Sequence, residues 1–262
     1  MRAIWVIVTL AAALLVPLGA ACGGESDDER AVAQALADTY TAEEANDVEA
    51  FLALVTDNYL ADFFVPPPTR DQLRDSGVRV RGSPPNVLSD VGDVRVSGDS
   101  ATAVAWLRTA RGAVRLTYDL VKQGGAWLVD GATLLRVDTP DGATEAAVEL
   151  VDSRYLFAND RDTFPAGDLA IQAANDGTQP HDLFVFKLPE GVSVQDSYEV
   201  NDPAEVGAEY IGLFGAVEPG AGGTWLLDDL EPGRYGYFCW VPDQLSGAPH
   251  AFDGMSGEFT VE

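Results

Sequence analysis

The spacing of apolar positions changes along the chain, and each change marks a boundary between kinds of structure. Val32, Leu36 and Tyr40 recur at helical spacing after the acidic start Asp27-Asp28-Glu29, and Val48, Phe51, Leu52 and Val55 repeat the pattern after Asn46-Asp47. Helices are expected there, and the proline-rich stretch from Val65 to Pro68 is expected to end the helical region. From Val91 the period falls to two. Val94 and Val96 lead into a turn at Ser97 to Ser100, and a run from Ala101 to Leu107 follows. Val114, Leu116, Tyr118 and Leu120 then alternate with Arg115, Thr117 and Asp119, which predicts a one-sided antiparallel strand. A Gly124-Gly125 turn returns the chain through Trp127 and Val129.

The segment from Asp138 to Gly142 is rich in turn residues and separates this pattern from a second one. Val148 and Leu150 begin a strand, and Phe164 to Gly167 turns into Leu169, Ile171 and Ala173, which alternate with polar or small residues. Leu183 to Phe186 reads as a fully buried strand, Tyr235 to Cys239 follows the turn at Glu231-Pro232-Gly233, and Phe259 and Val261 close the chain. Short strands between glycine and proline turns predict a β-sandwich. Two domains are therefore expected: an α+β unit over residues 30–138 and an all-β unit over residues 144–262.

At the N-terminus, Met1-Arg2 precedes an apolar run from Ala3 to Leu18 that reads as a secretory signal over residues 1–21. The run Leu18-Gly19-Ala20-Ala21-Cys22 resembles a bacterial lipobox, although Gly19 stands where that motif prefers leucine. The resemblance implies a lipid on Cys22, a polar tether over residues 22–29 and a position on the outer face of the cell membrane. A cleaved signal that leaves Cys22 free is the alternative. With Cys22 lipidated, Cys239 is the only other cysteine, so no intramolecular disulfide is expected. The net charge of −26 excludes a nucleic-acid partner and direct attraction to anionic lipid. The acid is spread along the chain, as on a solvated surface, and a monomer is expected.

Against this background the soft metal ligands stand out. Beyond Cys22 the chain holds two histidines, one cysteine and one methionine: His181, Cys239, His250 and Met255. Each alone has a bland reading, a surface histidine or a buried thiol or thioether. Together they match the His₂Cys trigonal set with a weak axial methionine that suits copper cycling between two oxidation states. Zinc more usually takes further thiolates or a carboxylate. One short connection carries Cys239, His250 and Met255, and His181 comes from a distant strand start.

These motifs resemble the cupredoxin family, whose members pair an Asn-x-Gly…His segment with a Cys…His-x₄-Met loop before the last strand. Asn175 to His181, Pro232 to Cys239, His250 to Met255 and Gly257 to Val261 carry the resemblance. It implies a Greek-key sandwich binding one type 1-like copper ion for single-electron transfer, not an enzyme, with a redox protein as partner. His250 matches the solvent-side histidine of the family, so it is expected to be the most exposed ligand and the electron route. The stretch from Trp240 to Pro249 is longer than in small electron carriers. Helices followed by a strand meander, over about Asp28 to Val137, resemble the nuclear transport factor 2-like cone. That unit has no histidine or cysteine, and Asp62 and Asp119 sit in no distinguishing motif, which favours a small-molecule pocket or a spacer over an isomerase. Copper capture at the cell surface, and a non-metal ligand-binding or structural lipoprotein, remain as alternative readings.

Overall fold

The computed structural model describes residues 26–63, 69–76, 86–200 and 203–262. The signal segment, Cys22, the first part of the tether and the run of prolines at 66–68 lie outside the described residues.

Helix α1 (Asp27–Ala45) opens with a reciprocal cap: Ser26 Oγ accepts from Glu29 N–H at 3.2 Å, and the Glu29 carboxylate accepts from Ser26 N–H at 2.6 Å. Asp27, Asp28 and Glu29 complement the positive end of the helix. The last three residues assigned to a tether are therefore the first helical turn. Val32 and Leu36 are buried on the expected face. Helices α2 (Val48–Leu54) and α3 (Asp57–Phe63) follow, and a fourth, α4 (Arg70–Ser76), lies beyond the prolines. The helical region thus extends further than predicted. Its last helix starts on a second reciprocal cap, Thr69 with Gln72, and Arg70 donates to the carbonyls of Leu52 and Val55.

The meander forms as its alternation predicts: β1 (Val87–Ser97), β2 (Ser100–Thr109), β3 (Gly112–Gln123) and β4 (Ala126–Leu134) pair antiparallel in sequence order. Ala103, Ala105, Tyr118 and Leu120 point inward and form one core with Val32 and Leu36 of α1. The second half contributes β5 (Thr144–Val151), β6 (Arg154–Phe157), β7 (Thr163–Phe164), β8 (Gly167–Asn175) and β9 (His181–Leu188). After helix α5 (Val194–Tyr198) come β10 (Glu209–Val217), β11 (Gly222–Leu230), β12 (Gly233–Phe238) and β13 (Ser256–Val261). Strands β10-β9-β12-β13-β7 form one five-stranded sheet. The chain is mostly β, with few helices and two sheets.

The two halves are not beads on a string. Strand β11 pairs antiparallel with β3 through Leu226 opposite Ala113 and Leu227 opposite Gly112, so one sheet runs β1-β2-β3-β11-β8-β5-β6, with β4 also on β3. Leu107, Val114 and Leu134 of the first half lie in the same buried cluster as Phe214, Trp225 and Leu227 of the second. Backbone bonds from Arg111 N–H to Ile211 O at 2.8 Å and from Asp228 N–H to Arg111 O at 3.1 Å extend the joint.

Two strands differ from their predicted faces. In β8, Ala170 and Gln172 are buried along with Leu169, Ile171 and Ala173, because the connection after β4 crosses the outer face. Gln172 Nε2 donates to Val137 O at 3.0 Å, and its Oε1 accepts from Thr224 Oγ1 at 2.8 Å. In β9, Phe184 is half-buried, on the outer face with Phe186, where Phe238 stacks on both and α5 packs over them.

Candidate metal centre

His181 opens β9 at the end of a turn that is locked before it. The Asn175 amide donates to Gln179 O and to Val217 O, both at 2.8 Å, while its Oδ1 accepts from Gly177 N–H at 2.9 Å. Gly177 has no room for a side chain, since a Cβ there would lie 2.9 Å from an Asp152 carboxylate oxygen. This is the physical content of the Asn-x-Gly spacing. The next residue, Asp182, accepts from Trp240 N–H at 2.8 Å and so joins the start of β9 to the end of β12.

The long connection from Trp240 to Pro249 is folded rather than slack. Pro242 bridges to Pro249, Asp243 N–H donates to Ala248 O at 2.7 Å and Gly247 N–H to Asp243 O at 2.8 Å. The Asp243 carboxylate accepts from Gln179 Nε2 and from Ser246 N–H, each at 2.7 Å, and these bonds hold it well below the usual carboxylate range. Gln179 Oε1 in turn accepts from Gln244 N–H at 2.7 Å, two residues before His181. Beyond the hairpin, His250 N–H donates to Val241 O and Ala251 N–H to Cys239 O, both at 3.0 Å. Met255 N–H donates to His250 O at 2.9 Å, and Cys239 N–H to Met255 O at 3.0 Å. The extra loop length is spent on stiffening the segment that holds three of the four residues singled out in the sequence.

His181, Cys239 and His250 come together as a buried triangle. His181 Nδ1 lies 3.2 Å from His250 Nδ1, and Cys239 Sγ lies 3.8 Å and 3.4 Å from them. A point equidistant from the three atoms is about 2 Å from each, the length of a metal–imidazole bond. Met255 is fully buried, in one core cluster with Cys239, and its main chain is tied to both Cys239 and His250. His250 is the least covered of the four, as expected, yet it keeps only 2 % of its surface. The order of exposure is the expected one, but the whole set is buried. Among the described residues neither His181 Nε2 nor His250 Nε2 has a hydrogen-bond partner.

The electrostatics favour an incoming cation. Burial pushes the Cys239 thiol well above its ordinary value, with the Asp182 carboxylate adding to the effect. Burial, then His250, lowers His181 to about 4, and burial lowers His250 as well. Both imidazoles are thus neutral ligands at neutral pH, and the thiol keeps its proton until a positive charge replaces it. Asp182, buried beside the thiol, is raised to about 6 by desolvation. Tyr155 donates its hydroxyl to the Asp182 carbonyl, which packs a second polar side chain against the site. Sequence reasoning did not single out Asp182, Tyr155, Gln179 or Asp243. Only Asp182 carried a signal, its position directly after a candidate ligand.

No family model matches the chain, and no curated protein matches it. Among solved structures it is similar to reduced auracyanin from Roseiflexus castenholzii, with 22 % identity and a TM-score of 0.31 over 46 % of this chain and 99 % of that one. Auracyanin A, a "blue" copper protein from Chloroflexus aurantiacus, aligns with 17 % identity and a TM-score of 0.32 over 46 % of this chain and 100 % of its own. An NTF2-like protein from Cytophaga hutchinsonii aligns with 17 % identity and a TM-score of 0.32, covering 42 % of this chain and 98 % of that one.

Proposed function

We propose that the chain carries single electrons on one copper ion that would be held by His181 Nδ1, Cys239 Sγ and His250 Nδ1, with Met255 as a fourth, weaker donor. In this reading residues 144–262 are a Greek-key cupredoxin-like sandwich behind a nuclear transport factor 2-like cone, and a lipid on Cys22 tethers both to the outer face of a cell membrane. The observation that carries it is the buried triangle of two imidazole nitrogens and one thiol, with sides of 3.2, 3.4 and 3.8 Å. Copper bound there supplies a one-electron couple. The chain's own residues do the rest. Cys239 Sγ gives up its proton, Asn175, Asp182 and the hairpin from Pro242 to Pro249 hold the donors in place, and burial keeps water away. The triangle is buried on all sides, with Met255 in the same core cluster, which favours electron transfer over catalysis.

A Cu(II) titration of the full chain, followed in the visible range, tests this. An intense blue thiolate-to-copper band should saturate at one equivalent, survive a cycle of reduction and reoxidation, and be absent from Cys239→Ser. No band and no stoichiometric binding would overturn the reading. Tight Cu(I) binding without a reversible cycle would replace it with copper capture.

A further inference from the structure

Five large apolar side chains stand exposed among the described residues, and three of them, Trp240, Leu245 and Phe252, lie between Cys239 and Met255. Apolar exposure concentrated beside a buried centre marks a contact surface more often than chance. His250 cannot serve as that surface, because its Nε2 is buried. Trp240 can. It is 40 % exposed, is bonded through the main chain to Cys239, and its N–H is fixed by Asp182. Its ring rests on Phe238 at 5.6 Å and on Phe252 at 6.0 Å, so the indole is held rather than loose. Electron tunnelling falls steeply with distance and follows covalent bonds better than gaps, and the main chain from Cys239 Sγ to the indole has no gap.

The charge carried by this connection has one sign. Asp243 and Asp253 lie in the same connection, and after Arg234 the chain has no lysine or arginine. Such a surface repels acidic partners and attracts basic ones.

We propose that Trp240, backed by Phe252, is the electron port of this protein, and that its occupant is an electron-carrier protein with an apolar contact patch rimmed by lysine or arginine. One electron leaves the site and the partner's redox centre takes it up; no bond forms or breaks and no proton moves. This rests on the copper reading, but the docking surface can be tested without metal.

The first measurement is made on the metal-free full chain. The redox-inert, paramagnetic tris(phenanthroline)chromium(III) cation, an aromatic probe of positive charge, should broaden the amide signals of Trp240, Leu245 and Phe252 in NMR spectra. Trp240→Ala should abolish this, and Leu156→Ala, a control on an exposed residue of β6, should not. In the second, the copper-loaded protein is oxidised by tris(phenanthroline)cobalt(III). Trp240→Ala should slow the reaction by about tenfold or more, and Trp240→Phe should stay within about threefold of wild type, with the visible spectrum and reduction potential unchanged. Broadening centred elsewhere, or equal rates in wild type and Trp240→Ala, would overturn the proposal. A wild-type chain without a blue band sinks the copper reading instead, and the metal-free measurement still decides where the cation docks.

Discussion

Gly112→Val is expected to force the two halves of the chain apart and to lower the stability of the whole protein. Gly112 is buried where β3 meets β11, and a Cβ built there would lie 2.2 Å from the main-chain oxygen of Leu226 and 2.7 Å from the ring of Phe214. Neither neighbour can yield cheaply. The first is the backbone of the paired strand, and the second is a fully buried ring in the core shared by both halves. Overpacking against main chain should cost about 3 to 4 kcal/mol, at the upper end for such changes. Gly92 provides the control, because no atom lies within 4 Å of a Cβ built there. Gly92→Ala should shift stability by less than about 0.5 kcal/mol.

The form of the transition is as informative as its midpoint. In the wild type, urea unfolding followed by tryptophan fluorescence and by far-ultraviolet circular dichroism should give one coincident transition, since both halves share a core and a sheet. In Gly112→Val the midpoint should fall and the two probes should separate. An unchanged midpoint would mean that the joint between β3 and β11 contributes little.

That joint was not legible in the sequence, and the reason is physical. Alternation reports which residues share a face of one strand, so β2 and β3 could be read from Ala101 to Leu107 and from Val114 to Leu120. It does not say which distant strand lies alongside. Leu226 and Leu227 meet Ala113 and Gly112 across more than a hundred residues of chain, and nothing local announces the pairing. Gln172 misled for a related cause. It sits at a polar position of an alternating strand, yet it is buried because residues 137 and 139 cross over it and bond to its amide.

The donors were legible because their chemistry is scarce. Two histidines, one thiol and one thioether in a chain with so few soft ligands could be assigned without knowing any distance, and the glycines at 177 and 257 kept their motif positions for steric reasons. A Cβ at Gly257 would fall 2.4 Å from the Tyr237 hydroxyl oxygen. The depth at which His250 is buried was not legible. It depends on how ten further residues fold, and the bonds that fold them run from Asp243 and Gln179, side chains whose types are common in any loop.

Outside the metal centre, the protein should lose stability as the medium turns alkaline, and Glu43→Gln should remove most of that loss. Glu43 lies in the last turn of α1, half-buried and facing the hydroxyl-bonded pair Tyr40 and Tyr118. Among the described residues its carboxyl has no hydrogen-bond partner, and desolvation raises it to about 8, against 4.5 in the open chain. The two tyrosine hydroxyls are raised further still and stay neutral, so they add no compensating charge. A group whose folded value lies above its unfolded one favours the folded state most below the unfolded value. That advantage is complete below about pH 4.5 and is lost as the pH rises through about 8. A shift of this direction and size corresponds to about 3 kcal/mol once partial exposure is discounted. Urea midpoints should therefore coincide for wild type and Glu43→Gln at pH 4 and diverge by about that amount at pH 9, with the variant more stable. The exposed neighbour Glu44, changed to glutamine, controls for the general effect of removing one negative charge from an acidic protein. Parallel pH profiles for wild type and Glu43→Gln would show that the Glu43 carboxylate is solvated as it ionises, and that the inner face of α1 opens to water without cost.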